Sequence, residues 1–378
     1  MVSKSQVMGS YHGKLRALSR LGVDLTVITP PRWGKQQLEI SDFDEYKVRV
    51  VRCLLSGYPH FYFYREVLGA LDADLVHLEE EPWSLANQQF MRKCVKANTP
   101  VIFFTWQNIL KKYPPPFSYF ERYAHAHSLG AIAGNQEAKC ILQQRGFTKP
   151  VKVIPQLGVD PVAFQCRDAS ELRRELKLDK SFVVGYVGRV VESKGIADLV
   201  HAMTLLPPHG ALVIVGDGDL APKVKDIAAR LGLSARIRYI SWVNSLQVPE
   251  YMNILDVLVL PSRTTQRWKE QFGHVLIEAM ACEVPVVGSD SGEIPNVIGD
   301  AGLVFPEGVV ERLVAQLSLL CNDADYRRNL GRKGRARVLR HFTDDRIAEQ
   351  TLDFYSEVLG RSANDSDQPT LTTASVSS

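Results

Sequence analysis

Acidic residues on either side of a predicted helix start could bind the hydroxyl groups of a ligand that also carries a phosphate. Glu270 lies in a polar loop, and Glu278 lies within the apolar-periodic run HVLIEAMA that follows the turn Phe272-Gly273. The first backbone N–H groups of a helix lack internal partners, and with the helix dipole they form an anion site. An ionised carboxylate only accepts hydrogen bonds, so it favours a ligand with hydroxyl donors over a bare phosphate. The alternative is an amphipathic surface helix whose acidic groups are solvated.

Two cations follow an apolar strand pattern in the segment VGRVVESKG, residues 187–195. Arg189 comes directly after the predicted strand, and Lys194 opens the next predicted helix. Ligands of open parallel sheets bind beyond the carboxyl ends of the strands. A guanidinium offers a planar fork and an ammonium a point charge, so this pair could bind a diphosphate from two directions. The alternative is a solvated loop in which Ser193 caps the helix.

Composition narrows the class of protein. The chain has 378 residues, enough for two domains of ordinary size, and 45% of them are hydrophobic and 23% charged, as in soluble globular proteins. A formal net charge of +3 argues against a dedicated nucleic-acid binder. The cysteines are scattered without a close pair, which fits reduced thiols in the cytoplasm: Cys53, Cys94, Cys140, Cys166, Cys282 and Cys321. No apolar run approaches the length of a membrane span.

Neither of the two candidate metal motifs gathers enough ligands. Asp217 and Asp219 in the run GDGDL could hold a cation, but Gly-Asp-Gly is also a tight turn that ends a strand. His125 and His127 lack a third ligand nearby. We therefore predict no metal site.

Short apolar strands alternate with helices, which predicts parallel sheets with helices on both faces. In the first half, helices are predicted at 11–22, 63–73 and 86–97, and strands at 23–30, 46–53, 74–82, 100–108, 128–135 and 151–160. The pattern restarts with strands at 181–190, 211–218, 235–243 and 256–262 and helices at 196–206, 220–233 and 245–255. The Ser/Thr-rich end, 361–378, is predicted to be a flexible tail.

Taken together, these motifs resemble one enzyme family. The order GR…KG after a strand, GDG, E-Q-F-G-x-x-x-x-E-A-M-A and P-V-V-G-S-D-S-G-E-I-P is similar to the retaining glycosyltransferases of the GT-B fold, the large family-four group. The resemblance implies an α/β fold of two Rossmann-like domains with parallel sheets that face each other across a cleft. We expect an acceptor-side domain over 1–165, a nucleotide-sugar domain over 166–340 and a C-terminal helix over 341–360 that packs back on the first domain.

The resemblance also implies roles for particular residues. Arg189 and Lys194 would bind the diphosphate and stabilise charge on the departing nucleotide, and Glu270 would hold hydroxyls of the donor sugar. Glu278 would accept hydrogen bonds from the ribose. The remaining donor contacts implied are Gly188, Trp242, Val243, Phe272, Gly273, His274 and Val275. No separate cofactor is expected, because the nucleotide-sugar is itself the donor substrate.

Two departures from the family pattern affect which donor sugar is expected. Gln107 stands where many relatives carry a histidine, and Asn296 stands where a glutamate is usual. One alternative is therefore a nucleotide-sugar-binding protein of the same fold whose catalysis is impaired. Another is an epimerase or a phosphorylase, although no motif supplies the pyridoxal lysine that a phosphorylase needs. Binding of a labelled donor without transfer or hydrolysis would identify the first alternative.

The favoured interpretation is a metal-independent retaining glycosyltransferase that makes cell-surface or extracellular polysaccharide. Its expected partners are a nucleotide-sugar and a glycan or lipid-linked acceptor, with no nucleic acid. The family places acceptor-facing loops around Tyr11, His12, Lys14 and Arg16. The basic face of the 11–22 helix could also bind anionic headgroups, which predicts a cytoplasmic enzyme at the inner membrane face. The alternative is a solvated helix face.

The beginning of the chain departs from a regular Rossmann-like start. Family members open with an apolar strand, and an interior parallel strand should be a nearly continuous apolar run. The segment MVSKSQVMGS instead places Ser3, Lys4, Ser5 and Gln6 between its apolar residues. We therefore expect most of the first strand to be missing, with a gap or poor substitute in mid-sheet and low solubility or weak activity.

Overall fold

The first half of the chain forms a parallel sheet with helices on its faces. A computed structural model describes residues 1–39, 45–56, 58, 60–65, 72–241 and 243–361. The strands of this half are β1 (Thr26–Thr29), β2 (Arg32–Trp33), β3 (Gln36–Gln37), β4 (Lys47–Val50), β5 (Cys53–Leu54), β6 (Phe63–Tyr64), β7 (Val76–Leu78), β8 (Val101–Thr105), β9 (Gly130–Ala133) and β10 (Val151–Val153). Its helices are α1 (Gly13–Arg20), α2 (Leu85–Lys96), α3 (Phe117–His127) and α4 (Gln136–Gln144), and Ser5–Val7 and Gly9–Tyr11 are 3₁₀ turns.

Residues at the beginning of the chain lie in the middle of this sheet. Strands β10, β9, β8 and β7 pair in that order, and β1 pairs with β4, all in parallel. Val2 forms parallel bridges to both Ile28 and Leu78, so it joins β1 to β7. The Val2 amide donates to the His77 carbonyl at 2.9 Å, and Val2 is buried. A very short segment therefore occupies the mid-sheet position at which a gap or poor substitute was expected.

The second half is a doubly wound domain. Its strands are β11 (Phe182–Val187), β12 (Gly210–Val215), β13 (Ile237–Ile240), β14 (Val257–Leu260), β15 (Val286–Ser289) and β16 (Leu303–Phe305). They pair in parallel in the order β13-β12-β11-β14-β15-β16. The strand order reverses between β11 and β14, and in such sheets ligands bind outside the carboxyl ends of the strands at this switch point. The predicted α/β class with two Rossmann-like parallel sheets is confirmed.

Helices cover both faces of the second sheet because its strands are apolar on both sides. Val183 and Leu258 contribute to the core on one face, and Val184 and Val259 to the core on the other. The helices of this half are α5 (Ser170–Glu175), α6 (Ile196–Leu205), α7 (Ala221–Arg230), α8 (Val248–Asn253), α9 (His274–Ala281), α10 (Ile294–Ile298), α11 (Val310–Asn322) and α12 (Ala324–His341), with 3₁₀ turns at Glu192–Lys194 and Ser234–Arg236.

The chain crosses between the halves at two segments that lie side by side. Val159 and Thr343 form a parallel bridge, and the Val159 amide donates to the Phe342 carbonyl at 2.9 Å. A Cβ atom at Gly158 would lie 2.5 Å from the Asp344 amide nitrogen, so this approach requires glycine. After the second crossing, α13 (Asp344–Leu359) returns to pack against α1.

The start of one predicted helix is wrong, and other predicted features lie outside the described residues. The predicted helix 63–73 begins as a strand, because β6 pairs antiparallel with β5. Residues 66–71 of that segment lie outside the described residues, as do Trp242 and residues 362–378 of the expected tail. The aromatic residues at 61–65 favour a strand as much as a helix, so periodicity alone could not separate the two.

Candidate active site

Lys194 and Glu270 meet at the switch point of the second sheet. Lys194 ends the 3₁₀ turn after β11, and Glu270 precedes α9 in the loop that follows β14. The Lys194 Nζ lies 2.6 Å from Glu270 Oε2, and the Ser262 hydroxyl donates to the same oxygen at 2.7 Å. The Lys194 and Glu270 side chains are 15% and 8% exposed. The structure therefore unites the cation and the carboxylate that the sequence assigned to separate motifs.

An aromatic ring lies against this pair. The Nζ of Lys194 is 4.9 Å from the centre of the Trp268 ring, within the range of a cation–π interaction. The Glu270 Oε1 atom makes no hydrogen bond to a described residue, so it can accept one from a ligand hydroxyl. Sequence reasoning assigned no role to Trp268 or Ser262. The only available signal was their position within the polar loop after β14.

Arg189 lies exposed just beyond β11. The Tyr186 hydroxyl donates to the Arg189 carbonyl at 2.6 Å, which fixes the backbone of this loop. The Arg189 guanidinium makes no ion pair within the described ranges of the chain. Gly188, which precedes it, has a φ of 144°. This region therefore offers an uncompensated cation at the end of a central strand.

The GDG motif supports this loop. A Cβ atom at Gly216 would lie 1.9 Å from the Gly188 carbonyl oxygen, so only glycine allows the two strand ends to approach. The Asp217 side chain accepts a hydrogen bond from the Gly218 amide, as expected of a tight turn. Over the described part of the chain, no three His, Cys, Asp or Glu side chains are grouped closely enough to hold a metal ion.

The N-terminus of α9 presents free backbone N–H groups. Gly273 has a φ of 80° and precedes a helix that no side chain caps. The N–H groups of Gly273, His274 and Val275 donate to no described residue. Such groups and the helix dipole favour an anion here. Phe272 is buried, and its ring lies 5.7 Å from that of Phe342, so the turn is anchored in the core.

His274 links Glu278 to the crossing between the halves. Its Nδ1 lies 3.0 Å from Glu278 Oε1, and its Nε2 lies 2.7 Å from the Gly158 carbonyl oxygen. Both neighbours are acceptors, so both ring nitrogens must donate, which requires the imidazolium form. Burial lowers the pKa of His274, but the hydrogen bond to Glu278, its charge and the Gly158 carbonyl outweigh this and raise it overall. Glu278 keeps its second carboxylate oxygen for a ligand.

Residues of the first half reach the loop that carries Glu270. Asn108 Nδ2 donates to the Glu270 carbonyl at 3.1 Å, and Gln271 Nε2 donates to the Trp106 carbonyl at 3.0 Å. The side chain of Gln107 is half-buried nearby and donates to the Ile109 carbonyl at 3.4 Å. The site therefore lies where both halves meet.

Two further residues singled out by the sequence, Val243 and Asn296, make other contacts. Val243 follows β13 and packs half-buried against the core, while Trp242 is outside the described residues. Asn296 is in α10, where its carbonyl accepts from Arg337 at 2.7 Å.

Of the residues expected to face the acceptor, Lys14 and His12 are buried. Lys14 is 2% exposed and forms a buried ion pair with Glu79, so the expectation that it meets an acceptor or headgroups is wrong. Amphipathic spacing could not reveal a buried carboxylate partner. His12 is also buried and contacts the Gln6 carbonyl at 2.8 Å. Tyr11 is half-buried, and burial followed by the charge on Glu278 raises its pKa. Arg16 is likewise half-buried.

No helix among the described residues combines the length and apolar character that crossing a membrane requires.

Two family profiles together match most of the sequence. The profile described as "Glycosyl transferases group 1" matches residues 168–337, and the one described as "Glycosyltransferase Family 4" matches residues 12–161. Their boundary falls between β10 and β11, where the second sheet begins.

Individual proteins agree with these profiles. N-acetyl-alpha-D-glucosaminyl L-malate synthase of Bacillus anthracis is 29% identical over 206 residues, or 53% of this chain and 52% of that protein. The capsular polysaccharide biosynthesis glycosyltransferase CapM of Staphylococcus aureus is 30% identical over 190 residues, or 49% of this chain and 48% of that protein. The chain spans about half the length of these curated relatives.

A solved structure extends the likeness over nearly the whole chain. Anabaena HepE in complex with UDP superposes with a TM-score of 0.72 at 20% identity and covers 94% of this chain and 98% of that one. At this identity the likeness establishes the fold alone. The matched profiles, the two Rossmann-like sheets and this superposition agree: the chain belongs to the group 1 glycosyltransferases of the GT-B fold.

Proposed function

We propose that the protein transfers a sugar from a nucleotide-sugar to a glycan or lipid-linked acceptor, with retention of anomeric configuration and without a metal ion. The observation that carries this proposal is the Lys194–Glu270 pair, 2.6 Å apart beside Trp268 at the switch point. Relatives of this chain include a protein named for capsular polysaccharide biosynthesis, which supports a role in polysaccharide synthesis.

The charge on the leaving group explains the need for these cations. When the bond between the anomeric carbon and the phosphate oxygen breaks, negative charge develops on the diphosphate. Arg189 and Lys194 can take up that charge, together with the free N–H groups at Gly273 and the next residues of α9. Glu270 holds Lys194 and the start of α9 holds the N–H groups before the reaction, so stabilisation by them costs little reorganisation. This arrangement supports a reaction that needs no metal.

The carboxylates are suited to binding hydroxyl groups. Glu270 has one oxygen engaged by Lys194 and Ser262 and the other open to the donor sugar. Glu278 has one oxygen engaged by His274 and the other open to the ribose. Ionised acceptors strengthen such hydrogen bonds. Val243 and Trp242 remain the proposed contacts to the base.

Without a carboxylate nucleophile, retention requires the acceptor to attack the face of the anomeric carbon from which the phosphate leaves. Glu270 is the carboxylate nearest to Lys194, and its hydrogen bonds to Lys194 and Ser262 favour a binding role. In the proposed step, the acceptor hydroxyl oxygen bonds to the anomeric carbon on the face that the phosphate leaves. The acceptor proton passes to the departing phosphate oxygen.

Transfer from labelled UDP-, GDP- and ADP-sugars tests this function. Donors are first ranked by protection against thermal unfolding, because a ligand that binds only the folded state stabilises it. NMR of the product should show the donor's anomeric configuration, and activity should survive chelator. An inverted product contradicts retention, and a loss that manganese or magnesium reverses contradicts metal independence. Binding without transfer or hydrolysis would favour the impaired-enzyme alternative, which Gln107 motivates.

We also propose that the enzyme works in the cytoplasm with peripheral contact to the inner membrane face. On α1, Arg20 is exposed and pairs with Asp345 at 2.7 Å, Arg16 is half-buried, and Lys14 is buried. Each basic residue near an anionic surface adds about 1 kcal/mol. Salt-sensitive flotation with anionic liposomes is expected, and its absence would remove the membrane contact.

A further inference from the structure

A small cavity lies beside the proposed donor site, between loops of both halves. Its volume is about 130 Å³, and its lining includes Glu81, Trp83, Lys111, Tyr113, Arg267 and Trp268. We call this the aromatic-cationic cavity. Its first-half residues follow β7 and β8, so they lie at the carboxyl ends of adjacent strands, where parallel sheets bind ligands.

Stacked rings form one side of the aromatic-cationic cavity. The Trp83 and Tyr113 ring centres lie 5.2 Å apart at an interplanar angle of 31°, and the His60 ring lies 4.4 Å from that of Trp83 and 6.2 Å from that of Tyr113. The Trp83 indole N–H is buried and has no hydrogen-bond partner among the described residues. A buried donor of this kind normally finds a partner. The half-buried rings of Trp83 and Tyr113 give this side of the cavity an apolar wall, against which the carbon face of a sugar ring can pack.

The charges that line the cavity are mainly positive. Lys111 and Arg267 are exposed, and neither side chain pairs with a carboxylate of the described residues. Lys269 is different, because it forms an ion pair with Glu137. The single carboxyl group of the lining, that of Glu81, already accepts hydrogen bonds from the protein.

Glu81 does not neutralise these cations. One of its oxygens accepts from the Thr105 hydroxyl at 2.6 Å and the other from the Trp106 amide at 2.8 Å. Burial raises the pKa of Glu81, which lowers the cost of its protonated form. Lys111 and Arg267 are therefore free to bind an anion of the ligand.

The aromatic-cationic cavity adjoins the proposed donor site and shares Gln107 with it. Trp268 lines the cavity and also lies 4.9 Å from the Lys194 ammonium. Lys194, Arg189 and Glu278, the proposed contacts to the nucleotide, are not part of the lining. A second substrate bound here would approach the donor sugar from the side of the first half.

We propose that the aromatic-cationic cavity binds the acceptor, and that the acceptor is a sugar whose ring carries an anionic group, a carboxylate or a phosphate. The ring would pack against the wall formed by Trp83 and Tyr113, and the anion would pair with Lys111 and Arg267. A guanidinium and an ammonium are the groups that bind such anions best. That the bound sugar is an acceptor rests on the proposed transferase activity, whereas the preference for an anionic sugar does not.

Binding of matched glycosides tests the proposal without requiring turnover. The probes are p-nitrophenyl glucoside, p-nitrophenyl glucuronide and the 6-phosphate of the first, titrated against the full chain by calorimetry at fixed ionic strength. We expect both anionic probes to bind at least tenfold more tightly than the neutral one. The variant Lys111→Gln/Arg267→Gln should lose this advantage, whereas Lys112→Gln, an exposed neighbour outside the lining, should retain it.

Each result bears on the proposal. Equal affinity for the three probes, or an advantage that the double variant keeps, would overturn it. Displacement of the anionic probes by a saturating nucleotide diphosphate would also overturn it, because the cavity would then belong to the donor. If the anionic preference holds while no nucleotide-sugar supports transfer, only the proposed function fails. The tighter of the two anionic probes identifies the charged group.

Discussion

At the scale of single residues, the Lys194–Glu270 pair makes the sharpest prediction. Lys194→Ala should lower turnover about 100- to 1,000-fold, since one preorganised donor contributes roughly 3–4 kcal/mol to transition-state stabilisation. Arg189→Ala should act in the same direction. Steady-state kinetics with the best donor measures the effect, and Lys112→Ala is the control for loss of an exposed charge.

Removal of Lys194 also leaves Glu270 with a buried charge, so loss of folding must be separated from loss of chemistry. The double variant Lys194→Met/Glu270→Gln keeps the side-chain volumes and removes both charges. We expect it to remain folded by circular dichroism and to be inactive. Near-normal turnover in either Lys194 variant would refute the catalytic role.

His274 predicts a dependence of stability on pH. Its pKa is raised in the folded protein, so its contribution is complete below the unfolded value of about 6.5 and is lost as pH rises through the folded value. The unfolding free energies of the wild type and His274→Leu should differ most near pH 6 and converge towards pH 9. Urea denaturation at both pH values measures this. A pH-independent difference would show that the imidazolium bridge is absent.

At the scale of elements, the anion site depends on the backbone at the start of α9. Gly273 has a φ of 80°, and a Cβ atom there would lie 2.8 Å from a Leu260 methyl group. Gly273→Ala should therefore strain this turn by about 1–2 kcal/mol and displace the free N–H groups, which should weaken nucleotide binding. Gly360→Ala is the matched control, because Gly360 has a φ of 65° with no atom within 4 Å of its Cβ position. It should cost stability and leave nucleotide affinity unchanged, and a Gly273 variant with wild-type affinity would contradict the anion site.

The elements of the second half follow from sequence because its strands are short apolar runs between clear turns. For the same reason Arg189 could be placed at a strand end, Lys194 at the start of the next helix and Glu270 in the loop before a helix. The contact between Lys194 and Trp268 could not be predicted, because it depends on how the loops after β11 and β14 fold towards each other. The buried Lys14 was missed because its partner, Glu79, is distant in sequence and lies at the end of another strand.

At the scale of the whole molecule, the two halves are joined by more than a linker. The segments at Val159 and Thr343 pair with each other, and His274 bonds the Gly158 carbonyl beside them. His274 also bonds Glu278, so it connects the proposed nucleotide site to the crossing by hydrogen bonds. No sequence pattern indicated this connection, because it joins a helix start to loops far away in the chain.

The C-terminal helix makes the last prediction, because its residues stabilise the half of the molecule from which they are most distant in sequence. Phe354 of α13 is 1% exposed and packs in a cluster with Ile102 and Ile132 of the first sheet. Phe354→Ala should cost about 3–5 kcal/mol. The loss should fall on the first half, where Trp33 and Trp83 report unfolding by fluorescence, and less on the second half, where Trp268 reports. Single-tryptophan versions separate these signals, and Leu339→Ala, at an exposed position of α12, is the control. Equal destabilisation of both halves would instead mean that the molecule unfolds as a single cooperative unit.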